Sequence, residues 1–228
     1  MGGLYITGTG TEVGKTHVAA MVARALFGRG KKVGVYKPVA SGCLVGTDGQ
    51  LTSEDASQLW AAAGCPGTLA KVCPQRFLAP LAPPRAAAEE GRQVDRMLLR
   101  QGFEPWRRSC EIVLVEGAGG LLSPLSDEED NASLAADLGL PLLIVVANEL
   151  GAINAARQTV HVARTLLPQL ALAGIVLNQV TPRPEDASLA SNPAEIARWC
   201  ETPVVATVSF GMANFEPETN WLMEICQK

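Results

Sequence analysis

The sequence predicts one doubly wound α/β domain over residues 1–228, with a mostly parallel sheet and helices on both faces. Three observations carry that expectation. The stretches EIVLVE (111–116), PLLIVVA (141–147) and LAGIVLN (172–178) are almost continuously apolar, as strands covered on both faces are. Helical patterns alternate with such runs, the order that builds parallel sheets. No repeat, low-complexity segment or linker interrupts the chain.

Taken in order, LYIT (4–7) reads as the first strand and runs into the glycine-rich turn GTGTEVGKT (8–16). A helix follows from Thr16 to Phe27, with Ala19, Val22, Ala23 and Leu26 on its apolar face and Gly28 and Gly30 ending it. KVGVYK (32–37) is a second strand, stopped by Pro38, which biases Lys37 towards an extended conformation. Residues 39–52 read as a polar loop, and Ser53 as the N-cap of a helix through Ala63. The stretch 64–92 is irregular and proline-rich, with a short strand over 71–78, and a helix follows over 93–102. Further helices fall near 131–139, 152–167 and 193–200, between or after the three apolar runs. PVVATV (203–208) is a last strand, and the tail 217–227 is helical.

Composition narrows the function. At 47% hydrophobic and 18% charged, the chain reads as a soluble globular protein with a sizeable core. Net charge is −4 with no basic stripe, which argues against a nucleic-acid partner. Six cysteines make no C-x-x-C pair, and His17 and His161 lie far apart in sequence, so neither zinc nor a disulfide framework is expected. Reduced thiols in a cytoplasmic protein are the reading. The first residues lack the basic start and apolar length of a signal peptide, and no segment approaches the ~18 apolar residues that cross a bilayer.

The turn at 8–16 carries the chemistry. The common phosphate-binding pattern is G-x-x-x-x-G-K-[ST], yet five residues before Gly14 stands Thr9. Either the loop is one residue longer or the turn is structural; Gly-Lys-Thr between a strand and a helix favours a nucleotide site. Gly8, Gly10 and Gly14 let the backbone approach phosphate oxygens, whose charge the amides and helix N-terminus face. Lys15 would neutralise the outer phosphates, and the Thr16 hydroxyl could ligate Mg²⁺. Glu116 ends an apolar strand, where nucleotide hydrolases carry a metal carboxylate, and Gly117-Ala118-Gly119-Gly120 follows at once. Asp55 either complements the dipole of its helix or joins the metal site, with Glu54 beside it as a competitor. Lys37 is either a solvated strand-end lysine or a second cation for a transferring phosphoryl group. His17 reads as helix surface, Arg107-Arg108 as a solvated face, and the four Trp residues suggest no function.

Together, GTGTEVGKT, YKPVASG (36–42), SEDA (53–56), VEGAGGLLSPLSD (115–127), LGAIN (150–154) and LNQVTP (177–182) resemble the dethiobiotin synthetase family of P-loop NTPases, in the family's own order. Its loop has the form G-x-x-x-x-x-G-K-T, so the extra residue is a mark of the group. The resemblance implies an ATP-dependent ligase of biotin biosynthesis. Its substrates would be 7,8-diaminononanoate (7,8-diaminopelargonate), CO₂ and MgATP. A carbamate forms, accepts the γ-phosphoryl group and gives a carbamic–phosphoric anhydride. The second amine closes on it to yield dethiobiotin, ADP and phosphate.

Carried over by position, Lys15 and Lys37 are catalytic, and Thr16, Asp55 and Glu116 hold Mg²⁺. Glu12, Val13, Gly14, Lys15, Thr16 and His17 wrap the phosphates, and Asp55, Glu116, Gly117, Ala118 and Gly119 complete that side of the ATP site. Asn178, Gln179, Ser209 and Phe210 form the base side. Thr11, Lys37, Ser41 and Gly119 orient the diamine, while Gly151, Ala152, Ile153 and Asn154 bind its carboxylate end at the interface of a homodimer. The chain departs from the family at Gly10, where many relatives have Asp, and at Pro83-Pro84-Arg85, where they have Ser-Pro-His. It departs again at ATVSFG (206–211), in place of Gly-x-Ile-Pro-x-Leu, which leaves nucleotide preference open.

Three rivals are weaker. A cobyrinate-amidating ligase would need a glutamine-hydrolysing domain for which there is no room. An ATPase switch of the partitioning type carries an early loop lysine, absent from positions 8–14. A degenerate ATP-binding paralogue is at odds with the intact Lys15, Thr16, Lys37, Asp55 and Glu116.

Overall fold

The computed structural model describes residues 2–47, 49–215 and 221–226. β1 (Gly2–Gly8) leads through the glycine-rich turn into α1 (Lys15–Gly28), and β2 (Val33–Tyr36) follows. Residues 39–52, expected as loop alone, contain β3 (Val39–Ala40) and an antiparallel hairpin of β4 (Leu44–Val45) and β5 (Leu51–Thr52). These pairings are only two residues long, too short to leave a period in the sequence. α2 (Glu54–Ala62) begins at Ser53, whose hydroxyl accepts from the Ala56 N–H.

The proline-rich stretch departs most from expectation. In place of a strand over 71–78 it holds α3 (Leu69–Val72), capped by the Thr68 hydroxyl, and a two-residue strand, β6 (Gln75–Arg76), paired with β3. α4 (Pro83–Glu89) opens on two prolines, whose missing N–H groups cost nothing in a first helical turn. α5 (Arg96–Gln101) is shorter than the expected 93–102 because the Asp95 carboxylate caps it by accepting from the Leu98 N–H. α6 (Glu104–Ser109) follows unannounced, with Pro105 in its first turn.

β7 (Ile112–Gly120) runs through the glycine segment, past the expected end at Glu116. α7 (Asn131–Leu138), β8 (Leu142–Ala147), α8 (Ala152–Leu166) and β9 (Leu172–Asn178) fall where the patterns put them. α9 (Ser188–Cys200) starts ahead of the expected 193 and carries Pro193 inside it, because Asp186 nucleates the turn by accepting from the Ser188 N–H and hydroxyl. β10 (Val204–Val208) completes the sheet. α10 (Trp221–Cys226) matches part of the expected tail helix, and 217–220 and 227 lie outside the described residues.

The main sheet is parallel throughout, in the order β10-β9-β8-β1-β7-β2. β1 sits between β7 and β8, so successive crossovers wind away from it in opposite directions. Such a reversal opens a crevice at the carboxyl ends of the strands, where the loop 8–14 and the segment 116–120 emerge. Helices cover both faces. Ile144, Val146, Ile175 and Leu177 pack on Ala156 and Val160 of α8 and Ile196 of α9. The larger cluster joins β1, β2 and β7 to α1, α2 and α6. Each fully buried aliphatic side chain there contributes about 1.5–3 kcal/mol relative to exposure.

Candidate active site

Two left-handed residues shape the loop between β1 and α1. Gly14 has φ 82°, and a Cβ there would meet Asn178 Nδ2 at 2.0 Å, so conformation and crowding both require glycine. Glu12 enters the same region with φ 59°, a strain of about 1–3 kcal/mol of the kind stored at ligand sites. From the end of β9, Asn178 Nδ2 donates to the Val13 carbonyl at 3.0 Å and pins the loop to the sheet. Lys15 folds back to donate to the Gly10 carbonyl at 2.9 Å. Burial lowers its pKa, partly opposed by Glu116 and Asp55.

Lys37 lies at the centre. It follows β2, is set extended by Pro38, and donates its backbone N–H to the Val72 carbonyl at 2.8 Å. Its Nζ donates to Glu116 Oε1 at 2.5 Å and to Asp55 Oδ2 at 2.7 Å. The Thr16 hydroxyl donates to the same Glu116 oxygen at 2.8 Å. Lys37 and Glu116 are 3% and 1% exposed, whereas the Asp55 side chain is 45% exposed. Burial alone would lower the Lys37 pKa, but Glu116 and Asp55 outweigh it and hold the ammonium above the ordinary lysine value. Burial would raise Asp55, and Lys37, Thr16 and Lys15 together hold it below the usual carboxylate range. Both groups are therefore charged at neutral pH.

Glu116 Oε2 is buried without a hydrogen-bond partner among the described residues, an uncommon and costly condition for a carboxylate oxygen. With the Thr16 hydroxyl and the Asp55 carboxylate it makes an all-oxygen donor set of the kind a hard divalent cation prefers. The residues fit Mg²⁺.

The glycine segment of β7 is held open by a residue no motif announces. Asn131, the first residue of α7, is fully buried. Its Oδ1 accepts from the Tyr5 hydroxyl at 2.9 Å and the Ala118 N–H at 3.1 Å. Its Nδ2 donates to the carbonyls of Ala118, Gly120 and Ser123 at 2.7, 2.8 and 3.1 Å. Only the fold brings this side chain thirteen residues back along the chain.

A cleft of about 840 Å³ joins these parts. Of the expected residues, Thr11, Glu12, Gly14, Lys15, Thr16, Lys37, Ser41, Asp55, Glu116, Ala118 and Gly119 line it. Pro80, Leu81 and Pro83 add an apolar wall that the sequence does not reveal. Val13 and Gly117 are buried in the same two segments. Asn178, Gln179, Ser209 and Phe210 gather at the adjoining strand ends, where the Gln179 N–H reaches the Val208 carbonyl at 2.9 Å. His17 turns away from the phosphate loop, its Nε2 meeting the Met212 carbonyl at 2.7 Å. Gly151, Ala152, Ile153 and Asn154 open α8 and do not line this cleft; Ala152 is buried, and Asn154 borders a separate cavity with Arg157, His161 and Trp199. At Gly10 a Cβ would meet nothing within 4 Å among the described residues. Arg85 pairs with Glu89 at 2.6 Å.

Known proteins give the same picture. A family model described as an AAA domain matches residues 2–212. The ATP-dependent dethiobiotin synthetase BioD of Rhodopirellula baltica is 42% identical over 214 residues, 90% of this chain and 82% of its own. That of Anaeromyxobacter sp. (strain K) is 43% identical over 206 residues, 90% and 89% of the two chains. The Nitrosospira multiformis protein of the same name is 34% identical over 225 residues, 99% and 96%. Among solved structures, the septum site-determining protein MinD complexed with Mg-ADP, from Pyrococcus horikoshii OT3, superposes with a TM-score of 0.57 at 18% identity, over 91% of this chain and 80% of its own. That likeness concerns the fold alone. With the loop, the lysine–carboxylate cluster and near full-length similarity all in place, the chain belongs to the ATP-dependent dethiobiotin synthetase family.

Proposed function

We propose that the whole chain, 1–228, acts as one ATP-binding ligase domain that converts 7,8-diaminononanoate, CO₂ and ATP to dethiobiotin, ADP and phosphate. The observation that carries this is Lys37, whose ammonium is held between Glu116 and Asp55 in the cleft that Lys15 and Thr16 also line. The loop amides and the N-terminus of α1 receive the triphosphate. Lys15 and Lys37 place two cations where charge builds on the transferring group, so stabilisation needs no rearrangement during the step. Thr16, Asp55 and Glu116 would hold Mg²⁺, which when bound neutralises phosphate charge.

Thr11, Ser41 and Gly119 orient the diamine, and the apolar wall of Pro80, Leu81 and Pro83 suits its methylene chain. One amine and CO₂ form the carbamate, losing a proton. A carbamate oxygen takes the γ-phosphoryl group, releasing ADP. The second amine attacks the carbamoyl carbon and expels phosphate, closing the ureido ring. Both amines belong to one bound molecule, so closure needs orientation more than chemical assistance. Asn178, Gln179, Ser209 and Phe210 receive the base. Gly151, Ala152, Ile153 and Asn154 bind the substrate carboxylate across a homodimer interface, which accounts for their place outside the cleft lining. The reading places the enzyme in the cytoplasm. Cys43, Cys65, Cys73, Cys110 and Cys200 are free, and no helix among the described residues is long and apolar enough to cross a membrane.

The test is ADP release from MgATP and bicarbonate, with and without 7,8-diaminononanoate, for the wild type and Lys37→Ala. Release that requires the diamine and collapses in the variant is expected. Release indifferent to the diamine would sink the ligase reading in favour of a switch ATPase. ATP binding without release would indicate a degenerate paralogue.

A further inference from the structure

The residues after β10 are tied to the outer face of α1. Ser209 to Met212 form a turn in which the Met212 N–H donates to the Ser209 carbonyl at 3.1 Å and Gly211 takes φ 79°, the positive φ that such a turn demands at its third residue. Phe210 stands at the second position, 55% exposed, with its N–H 3.4 Å from Gln179 Oε1. His17 Nε2 faces the Met212 carbonyl at 2.7 Å, and since a carbonyl only accepts, that nitrogen carries the proton. Arg24 Nη1 donates to the Ala213 carbonyl at 2.5 Å and to Asn214 Oδ1 at 3.3 Å. His17 and Arg24 are seven residues apart, two helical turns, and so share one face of α1.

This clamp joins two subsites through one rigid element. α1 begins at the phosphate loop, so whatever it holds keeps a set distance from Gly14, Lys15 and Thr16. The held segment, 209–215, follows β10 and contains no proline; Met212 and Phe215 rest against the core, while Phe210 stays exposed. Resting on the nucleotide-binding reading above, we propose that Arg24, together with His17, is a positioning residue for the nucleotide base. By fixing the Ser209–Met212 turn to α1, it sets Phe210 as an aromatic wall beside Asn178 and Gln179. The base of a purine nucleotide lies on that wall while its phosphates occupy the loop.

The test measures binding of ATP and of inorganic tripolyphosphate, which lacks a base, to full-length protein by titration calorimetry with Mg²⁺ present. Arg24→Met removes the donors from an exposed side chain and keeps its aliphatic length. The expected result is an ATP Kd raised about five- to tenfold, the worth of one or two hydrogen bonds, with tripolyphosphate changed less than twofold. Arg24→Lys, still able to donate to Ala213, recovers part of the loss. Phe210→Ala weakens ATP similarly, and the double variant is no worse than Phe210→Ala alone, because Arg24 acts through that ring. The proposal is overturned if ATP binding is unchanged, if both ligands weaken in parallel, or if the two substitutions add. No diamine enters these measurements, so the clamp and the ligase reading fail separately. Diamine-independent ADP release beside an intact binding split removes only the latter.

Discussion

Asn131 turns one side chain into five hydrogen bonds, all to groups that line or support the cleft wall. Asn131→Ala takes the acceptor from the fully buried Tyr5 hydroxyl and the half-buried Ala118 N–H, while the Gly120 and Ser123 carbonyls keep the N–H groups of Ser123 and Asn131. It should cost about 2–4 kcal/mol, read as a lower urea midpoint with an unchanged slope. Asn131→Asp should be worse, because a carboxylate offers no donor to the three carbonyls. A second residue-scale prediction concerns thiols. Burial pushes Cys73 up to about 12 and raises Cys43 as well, while Cys65 is exposed. The thiolate is the reactive form, so at pH 8 a disulfide reagent should modify Cys65 in the native protein. Cys43 and Cys73 should react only in denaturant; fast native labelling of Cys73 would contradict the burial. That Lys15, Thr16, Lys37 and Glu116 share one cleft was legible because loop and strand-end patterns mark their positions in the sequence. Asn131, Tyr5 and the wall of Pro80, Leu81 and Pro83 were not, because each acquires its role from a partner distant in sequence.

Among elements, α5 and the turn before α7 are joined by Glu129, whose carboxylate accepts from Arg96 at 2.7 Å and from Arg100 at 2.8 and 3.0 Å. Burial would raise its pKa, but the two arginines outweigh it and hold it below the usual glutamate value. The folded pKa is thus lower than the unfolded one, so the unfolded chain binds more protons. This stabilisation is present above about pH 4.3 and is lost as pH falls below it. Glu129→Gln should be less stable than wild type at pH 7 by about 1–3 kcal/mol, and the gap should narrow by pH 3.5 in urea titrations. A constant gap would show that the ion pairs contribute nothing. The six strands of the main sheet were legible as apolar runs. β7 was read short because glycine is depleted in strands, and β1 and Asn131 impose the extension at Gly117–Gly120. α4 and α6 were missed because prolines read as breaks, yet they fit a first helical turn.

At the scale of the molecule, ligand and fold are linked. MgATP at about a hundred times its Kd should stabilise the protein by about 2.7 kcal/mol, a rise in Tm of roughly 5–10 °C for a chain of this size. Lys15→Met should abolish the rise, and an equal rise in that variant would move the nucleotide elsewhere. The strand order has a consequence for biosynthesis. Among the described residues β1 pairs with β7, residues 112–120, and β8, residues 142–147. At translation rates of about 5–20 residues per second, roughly seven to thirty seconds separate its emergence from that of its second neighbour. Through that interval Leu4, Tyr5 and Ile6 lack the sheet that will bury them. The phosphate loop is thus synthesised well before β7, β8 and Asn178 arrive to set its working shape.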